Sequence, residues 1–138
     1  MVFGVGIDLI ELARIRQVMQ RHGQRFLLKV FTKHEQETCE NDLTLQRLAA
    51  RFACKEAVMK ALGTGWSKGV GWLDIEVFSE GGRPQVRLSG GAQQAAKRLG
   101  VDVIHISLTH SDTYAAAIAM AEKREGHQEQ EVSDRCAL

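Results

Sequence analysis

The chain has 138 residues, 44% of them hydrophobic and 25% charged, with a formal net charge of +1 at pH 7. That is the size and composition of one globular domain able to bury a core unaided, and a balance this close to neutral gives no bulk attraction to nucleic acid. No apolar run approaches the roughly 20 residues of a membrane span, and three cysteines, Cys39, Cys54 and Cys136, have no framework spacing and read as reduced thiols.

Residues 2–9 read as a short, glycine-containing buried strand with Asp8 near its end. Over 11–22, Leu12, Ile15, Met19 and His22 recur at helical spacing, with Arg14 and Arg21 on nearly the opposite side and Arg25 following if the helix continues. Residues 26–31 form a short apolar connection, and Thr32 with Glu35 opens another helical turn as a capping box. A long helix is expected over 44–62, closed by Gly63. Residues 70–79 alternate, with Leu73, Ile75 and Val77 on one face of a strand, and Gly81-Gly82-Arg83-Pro84 turns the chain into a partner strand at 85–89. A small alanine-rich helix at 92–99, closed by Gly100, leads to strands at 101–108 and 114–121.

The connections at 80–84 and 109–112 are too short for parallel crossovers. The expected fold is therefore α+β, a mostly antiparallel sheet with helices packed on one side. One domain spans 1–121, and 122–138 is a polar, disordered tail. No CxxC or second histidine cluster completes a zinc site. No basic segment leading into an apolar stretch and cleavage site opens the chain, so a cytoplasmic protein is expected.

The densest chemical signal lies in Arg51-Phe52-Ala53-Cys54-Lys55-Glu56-Ala57-Val58-Met59-Lys60-Ala61-Leu62-Gly63. At roughly 100° per residue, Leu45, Leu48, Ala49, Phe52 and Met59 fall on one side, with Glu56 in the middle of that stripe and Lys60 at its margin. Such a carboxylate is either one half of an ordinary i,i+4 pair or an ion placed for function, because burial of a charge is costly unless it is paired or metal-bound. Asp8 likewise is either a cap for the following helix or a hard-cation ligand. Together with Glu56 it would suit Mg²⁺, which keeps several waters and takes further ligands from substrate phosphates. Lys60 would face the same phosphate. Gly63-Thr64-Gly65 follows a helix C-terminus, which is the wrong end for a phosphate loop. Ser107-Leu108-Thr109-His110 lacks a nucleophile elbow.

Taken together, Gly4-Val5-Gly6-Ile7-Asp8, Phe31-Thr32-x-x-Glu35, the segment from Arg51 to Gly63, and Ser107-Leu108-Thr109-His110 resemble the holo-[acyl-carrier-protein] synthases, the small stand-alone phosphopantetheinyl transferases. The resemblance covers about residues 2–121 with the motifs in order; Cys54, where the family often has a small residue, and the longer tail are departures. It implies transfer of 4′-phosphopantetheine from coenzyme A to a serine of apo-acyl carrier protein, with release of adenosine 3′,5′-bisphosphate, in support of fatty acid biosynthesis. It further implies Mg²⁺ on Asp8 and Glu56, and coenzyme contacts from Lys60, Arg51, Gly63 and His110. Asp8, Glu56 and Lys60 would carry the catalysis, and the base for the serine is left open among Glu56, Asp8 and a metal-bound water. Arg14, with Arg21 and Arg25, would dock an acidic helix of the carrier protein. A homotrimer with sites shared between subunits is also implied. The competing readings are a non-catalytic binding module with structural carboxylates, and a Mg²⁺-dependent nucleotide hydrolase. The absence of a basic excess and of aromatic stacking residues speaks against RNA as partner.

Overall fold

The computed structural model describes residues 1–65 and 69–124. Strand β1, Val2–Glu11, lies beside β5, Tyr114–Glu122, which in turn pairs with β4, Val103–His110; both pairings are antiparallel, giving the order β1-β5-β4. A separate antiparallel hairpin joins β2, Ile75–Ser79, to β3, Pro84–Leu88. Five helices complete the described chain: α1, Leu12–His22; α2, Gln24–Val30; α3, Lys33–Thr38; α4, Gln46–Leu62; and α5, Gly90–Leu99. The α+β class and the one-sided packing of helix on antiparallel sheet are as expected.

Helix α4 forms the centre of the core. Its Ala53, Ala57 and Ala61 and the inward Ala115, Ala117, Ala119 and Ala121 of β5 are all buried. On β1 the inward positions include Gly4 and Gly6, and only glycine fits there. A Cβ on Gly6 would stand 1.9 Å from the Ala57 carbonyl oxygen, and one on Gly4 2.2 Å from that of Ala61. The helix backbone thus rests directly on the strand backbone. A helix buried this fully has no polar face to speak of, and this corrects the amphipathic stripe expected for it: Ala50, Arg51, Cys54, Lys55, Val58 and Leu62 are buried as well.

Other elements depart from the expectation for identifiable reasons. β1 is buried on one face only; Val5, Ile7 and Leu9 are exposed, as are Ile118 and Met120 opposite them on β5. The first helix stops at Gly23, which takes φ +45°, so Arg25 belongs to a second helix and the supposed connection at 26–31 is largely helical. His22, matched to the apolar spacing, is exposed. Trp72–Asp74 is a 3-10 turn rather than strand, and Leu73 points outward while Ile75 and Val77 are buried. The capping box forms as expected: Thr32 Oγ1 accepts from the Glu35 N–H and Glu35 Oε1 accepts from the Thr32 N–H. Helix α4 begins at Gln46 rather than 44, with Asp42 accepting from the N–H of Arg47. Glu122, expected in the tail, is the last residue of β5, and residues 125–138 of that tail lie outside the described residues.

Candidate functional site

Because α4 runs antiparallel over β1 in backbone contact, any polar residue at their seam is forced against its counterpart. Asp8 is the inward residue of β1 between Gly6 and Ile10 and is half-buried. Its Oδ1 accepts from Lys60 Nζ at 3.2 Å, and the same ammonium donates to the Ile7 carbonyl at 3.0 Å. Glu56, one turn before Lys60 on α4, completes the cluster. Burial raises the pKa of its carboxyl, the negative charge of Asp8 raises it further, and Lys60 partly offsets both. The structure therefore brings together the three residues expected to carry the chemistry.

Two carboxylates beside one ammonium are short of positive charge, and the Asp8 charge adds to burial, the larger cause, in raising the Glu56 pKa. Such a donor set fits a hard divalent cation that takes few protein ligands. No group of three or more His, Cys, Asp or Glu residues arranged for a metal occurs among the described residues. A fully protein-caged metal is therefore not what this seam offers.

The remaining expected residues are placed elsewhere. Gly63 caps α4 at φ +72°, donating its N–H to the Lys60 carbonyl, and a Cβ there would meet nothing within 4 Å, so the backbone is open to a ligand one turn beyond Lys60. Arg51 sits roughly 140° around the helix from Glu56 and about half a turn from Lys60. It is buried, its Nη1 donates to the Arg47 carbonyl at 3.3 Å, and its Nε has no hydrogen-bond partner among the described residues. It is not part of the Asp8–Glu56–Lys60 cluster. His110 is exposed at the end of β4, in register with Ala115, which faces Ile10 on β1. It is two strand spacings from β1, about 10 Å. Arg14 and Arg21 are exposed along α1 and Arg25 on α2.

Sequence reasoning missed the most deeply buried charges. Lys55, adjacent to Glu56, and Glu35 are both fully buried, with 0% side-chain exposure, and pair at 2.7 Å. The signal was available in the spacing, since Lys55 falls into the run Leu48, Phe52, Lys55, Met59 that marks one face of α4.

A family model described as the 4′-phosphopantetheinyl transferase superfamily matches residues 4–119. A holo-[acyl-carrier-protein] synthase of Koribacter versatilis is 46% identical over 124 residues, covering 88% of this chain and 99% of that protein. One of Chlamydia felis is 48% identical over 119 residues, covering 85% and 94%. Among solved structures, a holo-[acyl-carrier-protein] synthase from Neisseria meningitidis superposes with a TM-score of 0.82 at 29% identity, over 89% of this chain and 100% of that one. The Helicobacter pylori protein in complex with coenzyme A gives 0.77 at 27% identity, over 86% and 99%.

Proposed function

The chain belongs to the 4′-phosphopantetheinyl transferase superfamily, among its holo-[acyl-carrier-protein] synthases, and we propose that it moves 4′-phosphopantetheine from coenzyme A to a serine of apo-acyl carrier protein in a Mg²⁺-dependent reaction serving fatty acid biosynthesis in the cytoplasm. The observation that carries this reading is the Asp8–Glu56–Lys60 cluster at the seam of β1 and α4. Phosphoryl transfer depends mainly on positioning and on stabilising charge. Bound Mg²⁺ would be held by Asp8 and Glu56 and would neutralise charge on the coenzyme's pyrophosphate. Lys60, with its side chain 52% exposed, is free to turn from Asp8 to a phosphate oxygen and offset charge on the leaving group. The serine oxygen forms the new P–O bond, the pyrophosphate P–O bond breaks, and adenosine 3′,5′-bisphosphate departs. The proton lost by the serine is taken up at the carboxylate cluster.

The exposed basic residues Arg14, Arg21 and Arg25 form a surface suited to an acidic carrier protein, where charge contributes chiefly to encounter rate and register. The outer face of the sheet supports self-association, and the homotrimer is the form that the resemblance implies for it. Val5, Ile7, Leu9, Ile118 and Met120 form a contiguous exposed apolar patch of the kind that marks an interface. His110, on the far edge of the sheet from Asp8, would serve the coenzyme site of a neighbouring copy, as the shared-site reading requires, and Arg51 is assigned to coenzyme contact in the same shared site.

Incubation of the protein with coenzyme A, Mg²⁺ and apo-carrier protein, followed by intact mass, tests the reaction. The expected result is a carrier heavier by one phosphopantetheine group. Cleavage of coenzyme A without modification would assign a hydrolase instead, and neither product would leave a binding protein.

A further inference from the structure

The proposed transfer makes no use of the most deeply buried charges among the described residues. Lys55 Nζ donates to Glu35 Oε1 at 2.7 Å, to the Trp72 carbonyl at 3.0 Å and to the Ile75 carbonyl. Glu35 in turn accepts the Thr32 N–H at 2.9 Å on Oε1 and the Val77 N–H at 3.0 Å on Oε2. All three ammonium donors are used, and the pair joins α3, the 3-10 turn and β2 to a single point on α4.

A buried ion pair is weak support for stability, because desolvation consumes much of the attraction; its better-attested use is to select one arrangement over near-equivalent ones. Helix α4 needs such selection. Its contact with the sheet is made of small side chains, Ala53, Ala57 and Ala61 against Gly4, Gly6 and the alanines of β5. Apolar contact of this kind is close but not directional. A shift of one turn along the axis would again set alanine against small residues, since Ala49, Ala53, Ala57 and Ala61 recur every four positions. A contact with direction fixes the roll and the axial position; Lys60 supplies one from the solvated margin of α4, and Lys55 supplies a fully buried one immediately beside Glu56.

We propose that the Glu35–Lys55 pair is a positioning device for the metal-binding seam, setting the register of α4 so that the Glu56 carboxylate meets Asp8. Neither residue touches the reacting atoms. The inference rests on the proposed Mg²⁺-dependent transfer, and it adds two positioning residues to that reaction.

The test compares the full-length protein with Lys55→Met, Glu35→Gln and the double variant Glu35→Gln/Lys55→Met. In each, the melting temperature, kcat, and the affinity for Mn²⁺ in the absence of coenzyme by calorimetry are measured. Lys55→Met strands a buried carboxylate and should melt lower; the double variant removes both charges and keeps an acceptor for one backbone N–H, and should recover most of the loss, less the cost of leaving the Trp72 and Ile75 carbonyls without their donor. Positioning predicts that kcat nevertheless stays at least about tenfold low and Mn²⁺ binding about fivefold weak in the double variant. Recovery of kcat and Mn²⁺ affinity together with the melting temperature would mean that the pair only holds the fold, and would overturn the proposal. Should the double variant not fold, Glu35→Gln alone decides, with wild-type Mn²⁺ affinity overturning the proposal and a weakened affinity supporting it. Absence of transfer by the wild-type protein would strike the reaction itself, a result separable from the behaviour of the variants.

Discussion

Lys60 Nζ lies 3.2 Å from Asp8 Oδ1 and 3.0 Å from the Ile7 carbonyl, so the ammonium occupies part of the carboxylate seam assigned to a divalent cation. Two consequences pull in opposite directions. The ammonium limits repulsion between Asp8 and Glu56 when no metal is bound, and it competes with a metal for Asp8. Lys60→Gln should therefore bind Mn²⁺ about tenfold more tightly, the scale of one unit charge removed at contact distance in a solvated site, while transfer slows and the KM for coenzyme A rises. Calorimetry with Mn²⁺ and steady-state kinetics measure the two effects. Weaker Mn²⁺ binding in the variant would assign Lys60 a supporting role at the cation site.

Glu56 gives a prediction that separates activity from stability. Its pKa is raised, first by burial and then by Asp8, so the folded state disfavours the ionised form. The sign follows from linkage. A carboxyl whose folded pKa exceeds the unfolded value destabilises the fold as pH rises through and above the unfolded value, and costs nothing below it. Glu56→Gln should melt at or above the wild-type temperature at pH 7, with the difference vanishing near pH 4. Turnover should fall by at least about a hundredfold, on the order of the loss of a positioned electrostatic group. Thermal scans at both pH values and a kcat measurement check this together.

Gly6→Ala is expected to be severe although it adds one methyl group. The new Cβ would stand 1.9 Å from the Ala57 carbonyl oxygen, which is backbone and has no rotamer to escape into. A loss of at least about 2 kcal/mol is expected from overpacking, read from the urea midpoint. Because the strand must move off the helix, residual folded protein should also bind Mn²⁺ weakly.

Reversal of both Arg14 and Arg21 to Glu should raise the KM for the carrier protein about tenfold or more at low salt and flatten its salt dependence. The coenzyme A constant should not change, since both residues are exposed on α1 and neither is a partner of Asp8, Glu56 or Lys60 in the cluster. Equal losses for the two substrates would assign α1 a role in the coenzyme site instead of docking.

Ile118 lies opposite Ile7 at the centre of the exposed apolar sheet face, where it is 40% exposed. Ile118→Asp should leave the secondary structure unchanged by circular dichroism and convert the assembly to monomer in sedimentation experiments. Transfer should fall with the assembly, because His110 would no longer reach a neighbour's site. A wild-type protein that sediments as a monomer would remove the trimer from the proposal.

The elements themselves were written into local sequence. Alternation marked β2, the Gly81–Pro84 turn placed its hairpin partner, the Thr32–Glu35 capping box placed the start of α3, and Gly63 at φ +72° ended α4 where a cap was expected. The candidate residues Asp8, Glu56 and Lys60 were legible as charges out of place in apolar runs, and their joint resemblance to one family gave them a chemistry. Their meeting was decided by tertiary structure alone. Asp8 and Lys60 are 52 positions apart, and they touch because Gly4 and Gly6 let two backbones approach where any side chain would hold them off. Periodicity ranks residues by the face they occupy on one element, but burial depends on what covers that face. Thus β1 read as buried yet leaves Ile7 and Leu9 exposed, and the charge set deepest in α4 is Lys55 rather than Glu56, because Glu35 and the carbonyls of Trp72 and Ile75 arrive from distant parts of the chain to receive it.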